Sequence, residues 1–186
     1  MPYTSESRPK RKLSVALGLV AAAMLISLPT EAIAGSGGID TSGSDAPTGP
    51  SAKLVGGHAI APVGAPPKVV RAIEAANRIV QGKSYCLGGG HSTWQSRCYD
   101  CSGTVSYALG KPGARLVKAP MPSGQYMRWA ARGPGKWITV YANGGHMYAV
   151  IAGLRLDTSM TDGPGPGWST VRRPSKGFSV RHPVGL

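Results

Sequence analysis

Acidic residues are scarce in this chain: eight Asp and Glu stand against 21 Lys and Arg, a formal net charge of +13 over 186 residues. An excess of that size biases a protein toward polyanions. The basic residues are scattered rather than clustered, and no nucleic-acid-binding motif accompanies them, so nucleic acid is not an expected partner. Long apolar runs are missing beyond residue 28, which excludes a membrane span from the rest of the chain. Internal repeats and a recognisable second binding domain are missing too. Cysteine is limited to Cys86, Cys98 and Cys101. An odd count in an exported protein leaves at least one thiol unpaired or intermolecular.

The N-terminus supplies the one apolar run and sets the compartment. Arg8, Lys10, Arg11 and Lys12 precede an apolar stretch over residues 13–28, and Pro29 leads to Ala32-Ile33-Ala34 before Gly35. A basic start, an apolar middle and a small-x-small cleavage site describe a secretory signal peptide over 1–34. The basic segment has no Arg-Arg pair, which favours the general export route over the twin-arginine one. Removing it leaves 152 residues with a net charge of about +11. That is enough chain for one domain with a core. The expected location is therefore secreted, at the cell wall, where the available polyanions are anionic wall polymers and carboxylate-bearing peptidoglycan. No stable membrane insertion is expected after cleavage, and the domain is expected to be a monomer.

Residues 35–67 are rich in Gly, Ser, Ala and Pro and read as a flexible linker. One domain then occupies 68–186. Val69, Val70, Ile73, Ala76, Ile79 and Val80 recur at helical spacing, with Pro67 placed to begin a helix and Gly82 to end it. A glycine loop, Leu87-Gly88-Gly89-Gly90, precedes a second helix over 101–109 that Gly110, Pro112 and Gly113 stop. A short helical stretch follows over 125–132. From Trp137 the period changes to that of a hairpin, 137–141 and 146–151, with a second turn at Ala152-Gly153 into 154–158. Residues 162–167 alternate Gly and Pro and read as a loop, and 178–182 as an edge strand. Helices first and a strand meander after them predict an α+β fold, with N-terminal helices packed on a small antiparallel sheet.

The chemistry concentrates in Asp100-Cys101-Ser102-Gly103, which sets a thiol on the first turn of the second helix. Unpaired N–H groups and the helix dipole favour a thiolate there, and the thiolate is the nucleophile. Gly144-Gly145-His146 then opens a later strand. A cysteine at a helix start and a histidine on a strand are the two parts that a thiol hydrolase needs. Tyr85-Cys86-Leu87-Gly88-Gly89, Asp100-Cys101-Ser102-Gly103 and Gly145-His146-Met147-Tyr148-Ala149-Val150-Ile151 together resemble the NlpC-type cell-wall cysteine peptidases. The resemblance covers roughly residues 68–160, and its Asp-Cys-Ser-Gly element is fairly specific. It implies a papain-like domain that hydrolyses amide bonds in peptidoglycan stem peptides, often the one between D-glutamate and the diamino acid, with no cofactor and no metal. Carried over, Cys101 is the nucleophile, His146 the general base, and Tyr85 a hydroxyl that helps bind the oxyanion. Ser102 either caps the helix or contacts substrate.

A base histidine needs an acceptor on its other nitrogen. The family places a polar residue, frequently His, about a dozen positions after the base, where this chain has Asp157. His182 is a second candidate, and Asp157 is favoured. Asp100 is expected to cap the helix. Trp168, after the Gly/Pro loop, is the best candidate for a cleft wall. The cysteines leave three arrangements open: Cys86 paired with Cys98 and Cys101 free, all three reduced, or a zinc site of Cys86, His91, Cys98 and Cys101. A basic wall-binding module without activity is the functional alternative.

Overall fold

A computed structural model describes residues 51–160 and 163–186. The chain divides into two units, Met1–Thr41 and Ser42–Leu186, and every described residue belongs to the second. The expected signal peptide over 1–34 and the 35–50 part of the linker lie outside the described residues. Among the described residues, no helix is long and apolar enough to cross a membrane.

Residues 51–67 are not a bare linker. Lys53–Val55 (β1) and His58–Ile60 (β2) form an antiparallel hairpin. Its turn, Gly56-Gly57, has φ of +54° and +79°, the paired left-handed geometry that twists a hairpin correctly and suits glycine. The hairpin is tied down at both ends. Ala52 N–H donates to the Ala152 carbonyl at 2.7 Å, while Asn77 accepts from Ala59 N–H at 3.0 Å and donates to the Ala59 carbonyl at 2.8 Å. The buried anchors are Ala52 and Ala59, too small to stand out as an apolar pattern.

Pro67–Asn77 (α1) begins on proline as expected and buries Val69, Ala72, Ile73, Ala75 and Ala76. Cys101–Leu109 (α2) carries Gly103, Thr104 and Val105, none of them strong helix formers. Residues 102–109 are all buried, so tertiary packing rather than propensity holds this helix. It lies against α1 and against two strands of the main sheet, Met147–Ile151 and Leu154–Met160.

Ser123–Tyr126 (α3) is one turn, and the rest of the expected 125–132 helix gives way to Ala131–Arg132 (β3). The strands that follow are Ile138–Ala142 (β4), Met147–Ile151 (β5), Leu154–Met160 (β6), Gly163–Ser169 (β7) and Ser179–His182 (β8). They form a six-stranded antiparallel sheet in the order β3-β8-β4-β5-β6-β7. The architecture is α+β, helices packed on an antiparallel sheet, as the element order predicted. Ile138, Val140, Met147, Ala149, Ile151 and Leu156 face the helices in one core, whereas Tyr141, Tyr148 and Val150 form a separate cluster on the other face.

Two expectations are corrected. The Gly/Pro run is strand β7, with Leu156 opposite Trp168 and Asp157 opposite Gly167. Proline is tolerated there because β7 is an edge strand. Conversely, β8 is not an edge but lies between β3 and β4, with Arg181 opposite both Arg132 and Val140.

The glycine loop approaches α2 closely. A Cβ on Gly103 would stand 2.0 Å from the Gly89 carbonyl oxygen, and one on Gly90 would stand 2.7 Å from the Tyr99 ring. Backbone lines both sides of the first contact, so no flexible side chain can yield. Gly103→Ala is expected to destabilise the domain by about 1–3 kcal/mol, the usual range for overpacking. Thermal unfolding checks this, and an unchanged melting temperature would mean that the loop does not rest on the helix as described.

Candidate active site

Asp100 builds the helix start that carries Cys101. It is 3% exposed and takes the N-cap position, its Oδ1 accepting from Gly103 N–H at 2.7 Å and from Ser102 Oγ at 3.0 Å. Its Oδ2 accepts from Gly88 N–H at 3.0 Å, joining the glycine loop to the same carboxylate. His91 Nε2 stands 2.8 Å from Oδ2 and 2.7 Å from Ser102 Oγ. The expected capping role of Asp100 is therefore only part of what this residue does.

Cys86 and Cys98 form a disulfide across the glycine loop, and Cys101 is a free, partly exposed thiol. This resolves the three arrangements that the sequence left open. With two of its four sulfur and nitrogen ligands bonded to each other, the zinc site is excluded. Among the described residues, no group of three or more His, Cys, Asp or Glu could hold a metal ion.

The sheet brings the second half of the site. Asn143 Oδ1 accepts from Gly145 N–H at 3.0 Å and from His146 N–H at 2.8 Å, and Asn143 N–H donates to the His146 carbonyl at 2.9 Å. This side-chain turn fixes where the imidazole leaves the β4–β5 connection. His146 Nε2 lies 2.9 Å from Asp157 Oδ1, and Cys101 is near enough to contribute to the raised pKa of the imidazole. Nε2 is also approached by Ser159 Oγ at 3.4 Å and by Arg173 Nη1 at 3.3 Å. Cys101, His146 and Asp157 are thus brought together.

Asp157 is buried at a bulge in β6, between Asp157 and Ser159. Burial alone would raise its pKa. The hydrogen bonds from His146 and from the Ser159 amide, with the charges of His146 and Arg155, outweigh burial and hold it below the ordinary carboxylate value. Oδ1 also accepts from Thr158 N–H at 2.7 Å, while Oδ2 faces Arg173 at 3.2 Å and Arg155 at 3.5 Å. The pKa of His146 is pushed up to about 9, first by its bond to Asp157 and then by its bond to Cys101, against the opposing effect of burial.

The remaining expected site residues divide. Tyr85 is 40% exposed beside the thiol, and its pKa is raised by burial first and then by the charges of Cys101 and Asp100. Ser102 is corrected as a substrate contact: it is buried and its hydroxyl is engaged by Asp100 and His91. His182 is not near the base, since its Nδ1 lies 3.0 Å from the Gly133 carbonyl on the far side of the sheet. Trp168 is also corrected. It is a core residue, 6% exposed, whose Nε1 donates to Asn77 at 2.9 Å, and it forms no cleft wall. Sequence reasoning missed Asn143, Arg155 and Arg173, and it gave His91 only as a zinc ligand. Only Asn143 left a signal, as the Asn-Gly-Gly turn before the strand.

No family model matches the chain, and no curated protein sequence matches it significantly. Solved structures similar to it include Rv1477, a hypothetical invasion protein of Mycobacterium tuberculosis (18% identity, TM-score 0.44, 61% of each chain covered). Another is the P60 domain of antigen MAP1204 from M. avium subspecies paratuberculosis, at 21% identity and TM-score 0.41, covering 61% of this chain and 93% of that one. The match therefore spans less than two thirds of the length of the Rv1477 structure.

The His146–Asp157 pair makes stability depend on pH with a definite sign. The folded-state pKa of His146 is raised above 6.5 to about 9, so its contribution is complete below about pH 6.5 and is lost as pH rises through about 9. Asp157 is lowered from 3.8, so its contribution is present above that value and is lost as pH falls through the folded one. Asp157→Asn should return the His146 titration, followed by NMR of the ring nitrogens, toward about 6.5 and flatten the alkaline decline in melting temperature. A titration that stays near 9 would mean that Asp157 does not set the charge of His146.

Proposed function

We propose that this chain is an exported cysteine hydrolase that cleaves amide bonds in peptidoglycan stem peptides. The observation that carries the reading is the free Cys101 thiol at the start of α2, close enough to His146 to raise its pKa, with the same imidazole held by a buried carboxylate. This is the order of roles in Cys-His-Asn sites of papain-like enzymes, with Asp157 in the third place. The disulfide beside it suits an oxidising compartment. The net charge of +13 favours a polyanionic wall as the surface on which it works.

In the reactive form Cys101 is the thiolate and His146 the imidazolium. The sulfur attacks the scissile carbonyl carbon and the carbonyl π electrons move to oxygen. In this reading the Cys101 N–H, without an intrahelical partner at the first turn, and the Tyr85 hydroxyl stabilise that oxyanion. Its collapse breaks the C–N bond as His146 gives its proton to the leaving amine. Water then attacks the thioester with His146 as base and restores the thiol. Asp157 keeps the imidazole in the required orientation throughout and balances its charge.

Incubating the mature chain with purified peptidoglycan and identifying the soluble products by mass spectrometry tests this. Stem-peptide fragments are expected from the parent, reduced by at least about 10³-fold in Cys101→Ala. Fragments from neither, with both proteins retained on the wall, would favour the non-catalytic wall-binding module. Retention itself should weaken as salt rises, because exposed charges are screened beyond about 8–10 Å at physiological ionic strength. Salt-independent retention would overturn the role given to net charge.

A further inference from the structure

The face of the sheet turned away from α2 carries a pocket of about 270 Å³. Its floor includes Tyr148, and its walls are Arg155 from β6 and the segment after β7, with Ser169, Thr170, Arg172 and Arg173. That volume lies near the lower end of small-molecule sites, about 300–1,000 Å³. Among the described residues, three arginines and no carboxylate line it. Asp157 reaches two of them from the side of the catalytic pair, but its other oxygen is bonded to His146, so the pocket keeps an excess of positive charge.

Arg173 is held in place by its neighbours. Arg173 lies 3.2 Å from Asp157 Oδ2, with its guanidinium carbon 5.9 Å from the Tyr148 ring centre and 6.0 Å from that of Phe178. Tyr148 donates its hydroxyl to the Arg173 carbonyl at 3.3 Å and stacks on Tyr141 at 4.6 Å, so the aromatic floor also fixes the arginine's backbone. Arg172 is exposed at the rim. The Ser169 hydroxyl accepts from Val171 N–H at 3.0 Å, which leaves its own proton to donate. Planar guanidinium forks with nearby hydroxyl donors match the oxygens of a phosphate group.

We infer that this pocket binds a phosphate-bearing anion. Both free phosphate and an organic phosphate ester carry this chemistry, and the volume leaves room beside the phosphate for an attached polyol. Because Arg173 is shared with Asp157, an occupant would also be felt at the His146–Asp157 pair. The site does not involve Cys101, but it borders the catalytic pair, since Arg173 Nη1 also lies 3.3 Å from His146 Nε2.

Isothermal calorimetry on the full chain, with inorganic phosphate, glycerol 3-phosphate and acetate at matched ionic strength, tests it. Saturable one-to-one binding of either phosphate is expected, weakened at least tenfold in Arg172→Ala, whose melting temperature should equal the parent's because the side chain is exposed. NMR of the His146 ring should shift on addition of phosphate and not of acetate. Tighter binding of glycerol 3-phosphate would identify an organic phosphate as the source, and equal or weaker binding would identify free phosphate. No binding of either, acetate binding as tightly, or undiminished affinity in Arg172→Ala would overturn the proposal.

Discussion

The carboxylate of Asp100 is the contact on which the nucleophile's position depends. It accepts from the glycine loop at Gly88, from the helix backbone at Gly103, and from Ser102, and it pairs with His91. A buried acid is costly unless its oxygens are satisfied, and here both are. The bonds reach in two directions, along the helix and across to the loop, so the same charge caps α2 and seats the loop against it. The seating is possible only because Gly89, Gly90 and Gly103 meet backbone to backbone. Cys101 thereby starts its helix beneath a fixed loop, which the Cys86–Cys98 disulfide closes from outside.

A second carboxylate does the corresponding work on the sheet. Asp157 holds His146 from a strand, as Asp100 holds Cys101's turn from a helix cap, and the packing of α2 on β5 and β6 sets the distance between them. That packing uses Val105, Ala108 and Leu109 against Met147, Ala149 and Leu156, all fully buried. The two histidine–aspartate pairs are not equivalent. His91 has a third of its side chain exposed and directs one nitrogen at both Asp100 and Ser102, a structural bracket. His146 is more enclosed and bridges an acid and a thiol, which is the arrangement that can move a proton.

How much of this was legible depended on whether side chains of distinct size or period carried the information. α2 and the β4–β5 hairpin were readable because Gly110 closes the helix and the apolar pattern of Trp137 to Ile151 changes period around Asn143. Cys101 and His146 were readable from their local motifs, and Asp157 only from the resemblance, with His182 as its rival; of these, His146 and Asp157 lie in hydrogen-bond contact. The β1–β2 hairpin was not readable because its buried contacts are two alanines and a distant Asn77. β7 was hidden by glycine and proline, which signal a loop unless the strand is known to be an edge. Ser102 and Trp168 were misplaced because burial decides their roles, and burial is a property of the packed layers. Arg173 had no local signal at all: it reaches Asp157 across 16 positions of sequence.

The same arginines bear on why an acid stands at position 157. Asp157 divides its two oxygens: Oδ1 serves His146 and the Thr158 and Ser159 amides, and Oδ2 serves Arg173 and Arg155. Arg155 is only 12% exposed in its side chain, so its charge has little water to screen it. A neutral imidazole at position 157 could accept one proton from His146 but could not also face two guanidinium groups. Loss of that acceptor would leave partly buried cations beside a histidine that must itself carry a proton, and like charges at such separation disfavour the charged imidazole. The carboxylate therefore answers two demands that a histidine cannot meet together. The choice of acid at this position and the basic pocket behind the sheet are consequences of one local balance of charge.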